Sequence, residues 1–178
     1  MSSAVYGHWA NARRSNKAQK SFYDDMCALY GLCCAARADL FLGIVLRENE
    51  SLPAKVRRKL QCVEKKAEWW PITRRATGAG VPIYVARLTA FENDWSVVTG
   101  MLPNPFIYDA FIFSETAAGQ KCHAASCGHE HLGYFMLHDD CFFVDASALT
   151  RLHFDEDPHT SYEDLIHTRG QVYGKLSG

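Results

Sequence analysis

Apolar residues recur along this chain in two rhythms, and the change between them divides it. From Asp24 to Leu46 they fall at Met26, Leu29, Tyr30, Cys33, Cys34, Leu40, Phe41, Ile44 and Val45. That i, i+3, i+4, i+7 stripe predicts a helix over about 24–46 packed on a core. Asp24 or Asp25 can cap its start. A second helix is predicted from about Pro53 to Trp69, with Val56, Leu60, Val63, Ala67 and Trp70 as a narrow stripe. Ser51 precedes it, Pro53 suits a first turn, and Arg57, Arg58, Lys59, Lys65 and Lys66 form the wet face. A basic face of this kind is ordinarily solvated, although it can also dock a partner.

After Trp69-Trp70-Pro71 the rhythm shortens. Residues 81–88, 95–99 and 106–113 read as strands, with Pro103 and Pro105 in the turn between the last two. Residues 119–128 read as a loop. Two more strands are expected at about 131–137 and 141–145, joined as a hairpin by His138-Asp139-Asp140. Residues 1–20 carry Arg13, Arg14, Lys17 and Lys20 and read as a basic arm or short surface helix. From Phe154 the chain turns acidic and runs out in an irregular tail. Helices first and strands later predict an α+β fold. Its helical N-terminal lobe spans about 21–70 and its antiparallel β lobe about 71–153, with a cleft between them. The tail is 154–178.

Composition narrows the class. At 178 residues, 48% hydrophobic and 22% charged, the chain suffices for one compact domain. A formal net charge of −1 gives no reason to expect nucleic acid or an anionic membrane as partner. No run is long enough to span a bilayer, and the first residues lack the basic flank and apolar core of a secretion signal. The seven cysteines, an odd number with Cys33 and Cys34 adjacent, therefore read as reduced thiols of the cytoplasm or nucleus.

The candidate chemistry begins at Gly128-His129-Glu130-His131-Leu132-Gly133-Tyr134-Phe135, followed by Phe142-Phe143-Val144-Asp145. On a hairpin, His131 and Asp145 would stand side by side, as the base and orienter of a nucleophilic triad. The nucleophile would be Cys27, expected in the first turn of the first helix, where free N–H groups and the helix dipole favour a thiolate. Cys33 and Cys34 lie on the apolar stripe and read as packing. His129 competes with His131, but one step along a strand points it to the opposite face. Taken singly, each of these residues is more often a packing or capping residue.

These segments resemble the papain-like cysteine proteases, and among them the leader proteinases of aphthovirus-type picornaviruses. The resemblance rests on the Gly-x-Glu-His and aromatic-apolar-Asp segments, and on Cys27-Ala28-Leu29-Tyr30-Gly31-Leu32. A weaker overlap, at Leu60-Gln61 and Trp69-Trp70-Pro71-Ile72, is with nidovirus N-terminal papain-like proteins. The resemblance implies a papain-like fold and Cys27, His131 and Asp145 as catalytic residues. It implies self-release after Gly178, since Lys175-Leu176-Ser177-Gly178 is similar to a product end. It also implies action in the host cytoplasm or nucleus, on proteins such as a translation-initiation scaffold or ubiquitin-like modifiers, against host translation or innate immunity. Two positions depart from the pattern. Ala28 stands where the family has Trp. Ser21 and Phe22 stand where it has an amide donor, so the Cys27 backbone N–H and one side chain such as Ser21 would serve the oxyanion.

No cofactor is required on this account. The rival expectation is a non-catalytic, zinc-binding viral modulator acting by protein contact. Cys122, Cys127, His138 and Cys141 would form its site, although they lack a tight Cys-x-x-Cys pair.

Overall fold

A computed structural model describes residues 4–9, 16–36, 39–45, 51–59, 61–67, 81–87, 109–117, 119–127, 132–137 and 144–160. In chain order these form β1 (Ala4–Trp9), α1 (Asn16–Ala36), β2 (Leu40–Val45), α2 (Ala54–Lys59), β3 (Val63–Ala67) and β4 (Val81–Arg87). There follow β5 (Asp109–Thr116), β6 (Gly119–Cys127), β7 (Leu132–Leu137), α3 (Ala146–Arg151) and β8 (Asp155–Glu156). The fold is α+β. The strands make one eight-stranded sheet in the order β3-β4-β2-β5-β6-β7-β1-β8, and every pairing is antiparallel. Strands from residues 4–67 and from 81–156 thus share one sheet. Among the described residues there is no separate helical lobe.

The central strands are buried on both faces, and there the sequence pattern departs from the elements observed. In β2 all six residues are buried. Leu40, Leu42 and Ile44 join the core under α1, while Phe41 and Val45 join an apolar cluster with Phe111, Phe113 and Met136. A strand buried on both sides reads as a continuous apolar run, and here that run extended the stripe of the preceding helix. So the helix expected over 24–46 ends at Ala36, and a strand follows. The helix expected over 53–69 is likewise a six-residue helix and then β3. β1 lies inside the expected basic arm, with Val5, Tyr6, Gly7 and His8 buried. β6 occupies the expected loop because Ala124, Ala125 and Ser126 give weak strand propensity but fit between β5 and β7.

The helix α1 lays Phe22, Met26, Leu29, Tyr30 and Cys33 on the sheet, each fully buried. Burying such side chains stabilises by about 1.5–3 kcal/mol each. Two glycines set the spacing. A Cβ at Gly43 would clash with the edge of the Phe111 ring, so this glycine lets the ring lie against β2. A Cβ at Gly133 would sit 2.5 Å from Met26 Sδ and 3.4 Å from Phe22, so the start of β7 lies close under α1. No described helix is long and apolar enough to cross a membrane.

Candidate functional site

The expected hairpin spans 131–145, of which 131 and 138–143 lie outside the described residues; its described strand, β7, is paired with other strands. β1 pairs with every residue of β7, from Leu132 to Leu137, and β6 takes Leu132 to Phe135 on the other side. Both edges of β7 are therefore occupied. Asp145 instead ends a bend and caps α3. Its Oδ1 accepts from Ala148 N and from Ser147 Oγ, each at 2.7 Å. Those bonds, Ser147 first and Ala148 next, hold its carboxyl below the usual carboxylate range. The side chain is exposed, and its geometry is that of an N-cap.

Cys27 is not in the first turn of its helix. α1 begins at Asn16, roughly three turns earlier, so the backbone N–H groups around Cys27 are already used within the helix. Burial pushes the thiol up to about 12, and the Asp24 carboxylate adds to the rise. Ser21 is exposed on the same helix six positions earlier. At 3.6 residues per turn and 1.5 Å per residue the two side chains leave the helix about 120° apart and roughly 9 Å along its axis. His131, His138, Cys141 and Gly178 lie outside the described residues, as does the side chain of Cys127. Of the expected zinc set, Cys122 is buried in the apolar cluster with Phe111 and Phe113. Burial raises its thiol, and its Sγ points to Ala124 O at 3.5 Å.

An imidazole held by a carboxylate does exist, built from other residues. Asp25 on α1 directs Oδ2 between two histidines. His8 Nε2, from β1, is 2.9 Å away, and His153 Nδ1, from the turn after α3, is also 2.9 Å away. His8 and Asp25 are buried, whereas the His153 side chain is 70% exposed. The His8 ring is fixed by edge contacts with Phe22 at 5.1 Å and Phe154 at 5.2 Å between centroids. Both bonds to one carboxylate oxygen require N–H on each facing nitrogen.

The third member sits on an unusual backbone. α3 closes with His153 N on Thr150 O at 3.0 Å and Phe154 N on Leu149 O at 2.9 Å. This is the paired helix-ending motif whose left-handed position usually holds glycine. Here it holds His153, at φ 57°. A side chain in that region costs about 1–2 kcal/mol, and the hydrogen bond to Asp25 offsets it. Phe154, the next residue, is fully buried and anchors the turn.

Sequence reasoning missed this group because its members stand 17 and 128 positions apart. The one local cue was the absence of glycine after Leu149-Thr150-Arg151-Leu152, where α3 has to stop. As donors, His8 Nε2, Asp25 Oδ2 and His153 Nδ1 lie within 4.8 Å of one another, the one such group of histidine, cysteine and acidic side chains among the described residues. No family model matches the chain, and no match is found among curated proteins or among solved structures.

Proposed function

We propose that the chain is a cysteine endopeptidase of papain-like chemistry, with Cys27 as nucleophile, His131 as base and Asp145 as third member. What supports this is the approach of Gly133 to Met26. It sets β7, which begins one residue after position 131 in the sequence, against the turn of α1 that carries Cys27.

The sulfur attacks a peptide carbonyl, and the Cys27 proton passes to His131 and then to the leaving amine. Water hydrolyses the resulting thioester. Two demands follow from the geometry. The imidazole has to take the proton from a thiol that burial and Asp24 hold in its neutral form. Asp145 has to orient that imidazole through Oδ2, because Oδ1 serves the α3 cap. The first substrate is the chain's own junction after Gly178, and later ones are host proteins of translation or innate immunity.

A fusion carrying a reporter domain after Gly178 tests this. Release of the reporter by the parent chain and none by Cys27→Ala is the expected result. Release that persists in Cys27→Ala removes Cys27 from the chemistry. Release lost in Cys27→Ala but kept in His131→Ala removes the base.

A further inference from the structure

We infer that His8, Asp25 and His153 form a binding site for a divalent transition-metal ion, with zinc as its natural probe. The inference is independent of the peptidase proposal and uses none of that triad.

The donor set comes first. Two imidazole nitrogens and one carboxylate oxygen suit zinc and its first-row neighbours, whereas calcium and magnesium prefer all-oxygen cages. The atoms are His8 Nε2, Asp25 Oδ2 and His153 Nδ1, and none lies more than 4.8 Å from another. Zinc bonds of about 2.0–2.2 Å in a tetrahedron place neighbouring donors roughly 3.3 Å apart. The two N···O separations, 2.9 Å each, need to open by only a few tenths of an ångström. Each donor is carried by a different element, so the site is closed by the tertiary fold.

Charge supplies the second argument. Asp25 is 9% exposed, between a buried imidazole and the rings that pack on it. Its ion-pair partners among the described residues are the two histidines, with no lysine or arginine. A carboxylate buried between two imidazoles is a costly charge unless a cation offsets it. A divalent ion between the three donors neutralises it.

The backbone supplies the third. The strain at φ 57° persists at a position where glycine would be free of it. What the chain gains for that strain is an imidazole delivered to Asp25.

Proton bookkeeping allows the exchange. For each neutral imidazole to offer a lone pair to the ion, its N–H moves to the other ring nitrogen. That nitrogen of His153 belongs to a largely exposed side chain. His8 Nδ1 has no partner among the described residues with either tautomer, so it does not decide between proton and ion. Two of the donors belong to buried residues and the third to a largely exposed side chain.

The test uses the full chain, without any affinity tag, stripped of metal and titrated with Zn²⁺ by calorimetry and with Co²⁺ by its visible absorption. One equivalent should bind, and zinc should raise the melting temperature. Asp25→Asn and His153→Gly should each weaken zinc on the order of 100-fold, since loss of even an indirect partner costs 10–100-fold. His153→Gly relieves the left-handed strain, so circular dichroism should show it folded, and loss of binding cannot then be assigned to unfolding. Cys122→Ala should bind as the parent does. Absence of saturable binding overturns the site, as does one equivalent that survives both Asp25→Asn and His153→Gly. Peptidase release in the reporter fusion, measured with a chelator present, reads the other proposal separately.

Discussion

Two carboxylates in this molecule invite an imidazole, and they differ in almost every physical respect. Asp145 stands in a motif legible from the sequence, is exposed, and spends one oxygen capping α3. Asp25 stands in no motif, is buried, and brings together β1, α1 and the turn after α3. A local pattern is readily imitated by capping, which needs only an oxygen at the right place relative to a helix start. A convergence of two distant imidazoles on one buried carboxylate oxygen has no such inexpensive imitation. Position within a fold is therefore better evidence of a site here than proximity in sequence.

Removing the two carboxylates is the strongest way to break that comparison. Asp25→Ala leaves two imidazoles without their acceptor, one of them buried, and should cost about 3 kcal/mol in chemical denaturation. Should it prove as mild as a surface substitution, the two regions do not differ in kind.

At Asp145 the expected effect is smaller and is split by the replacement chosen. Asp145→Ser keeps an N-cap oxygen and should hold the melting temperature, whereas Asp145→Ala should lower it by a few degrees. The carboxyl is held below its ordinary value when folded, so its contribution is present above the unfolded value of about 3.9 and is lost as pH falls through the folded one. Both variants should therefore show a flatter loss of stability on acidification than the parent. Asp145→Ser that melts normally yet abolishes reporter release would sharpen the case for a second, catalytic role.

The smallest effect is at Cys27. Its thiol is raised when folded, so the neutral form belongs to the native state. Stability should begin to fall as pH rises past the unfolded thiol's value of about 8.5, and should go on falling toward the folded value of about 12. Cys27→Ala should remove part of that alkaline slope in thermal melts between neutral and alkaline pH. A slope unchanged by the substitution would mean that the thiol is less buried than its packing beside the core implies.

The sequence carried the local part of the fold and little of its closure. The stripe of Met26, Leu29, Tyr30 and Cys33 announced α1, and the runs at 81–88 and 131–137 announced β4 and β7. Leu40 to Val45 did not announce a strand, because a run buried on both faces has no alternation to show. His8 sat in a stretch without pattern, since Val5, Tyr6, Gly7 and His8 are all buried in a strand flanked on both sides. His153 was invisible for the opposite reason. Its backbone conformation favours glycine, and the side chain's contact with Asp25 is fixed only once α3 docks on the sheet.

The place of β1 between β7 and β8 has a consequence in time. Its partners run from Ala4 with Leu137 to Trp9 with Leu132, and then to Asp155 and Glu156. A chain made from its N-terminus cannot complete this sheet until nearly all of these strands have left the ribosome, and pairings of such long sequence separation form slowly. Until then β1 has both of its edges unpaired. The Asp25 centre, which needs both His8 and His153, would be among the last features to assemble.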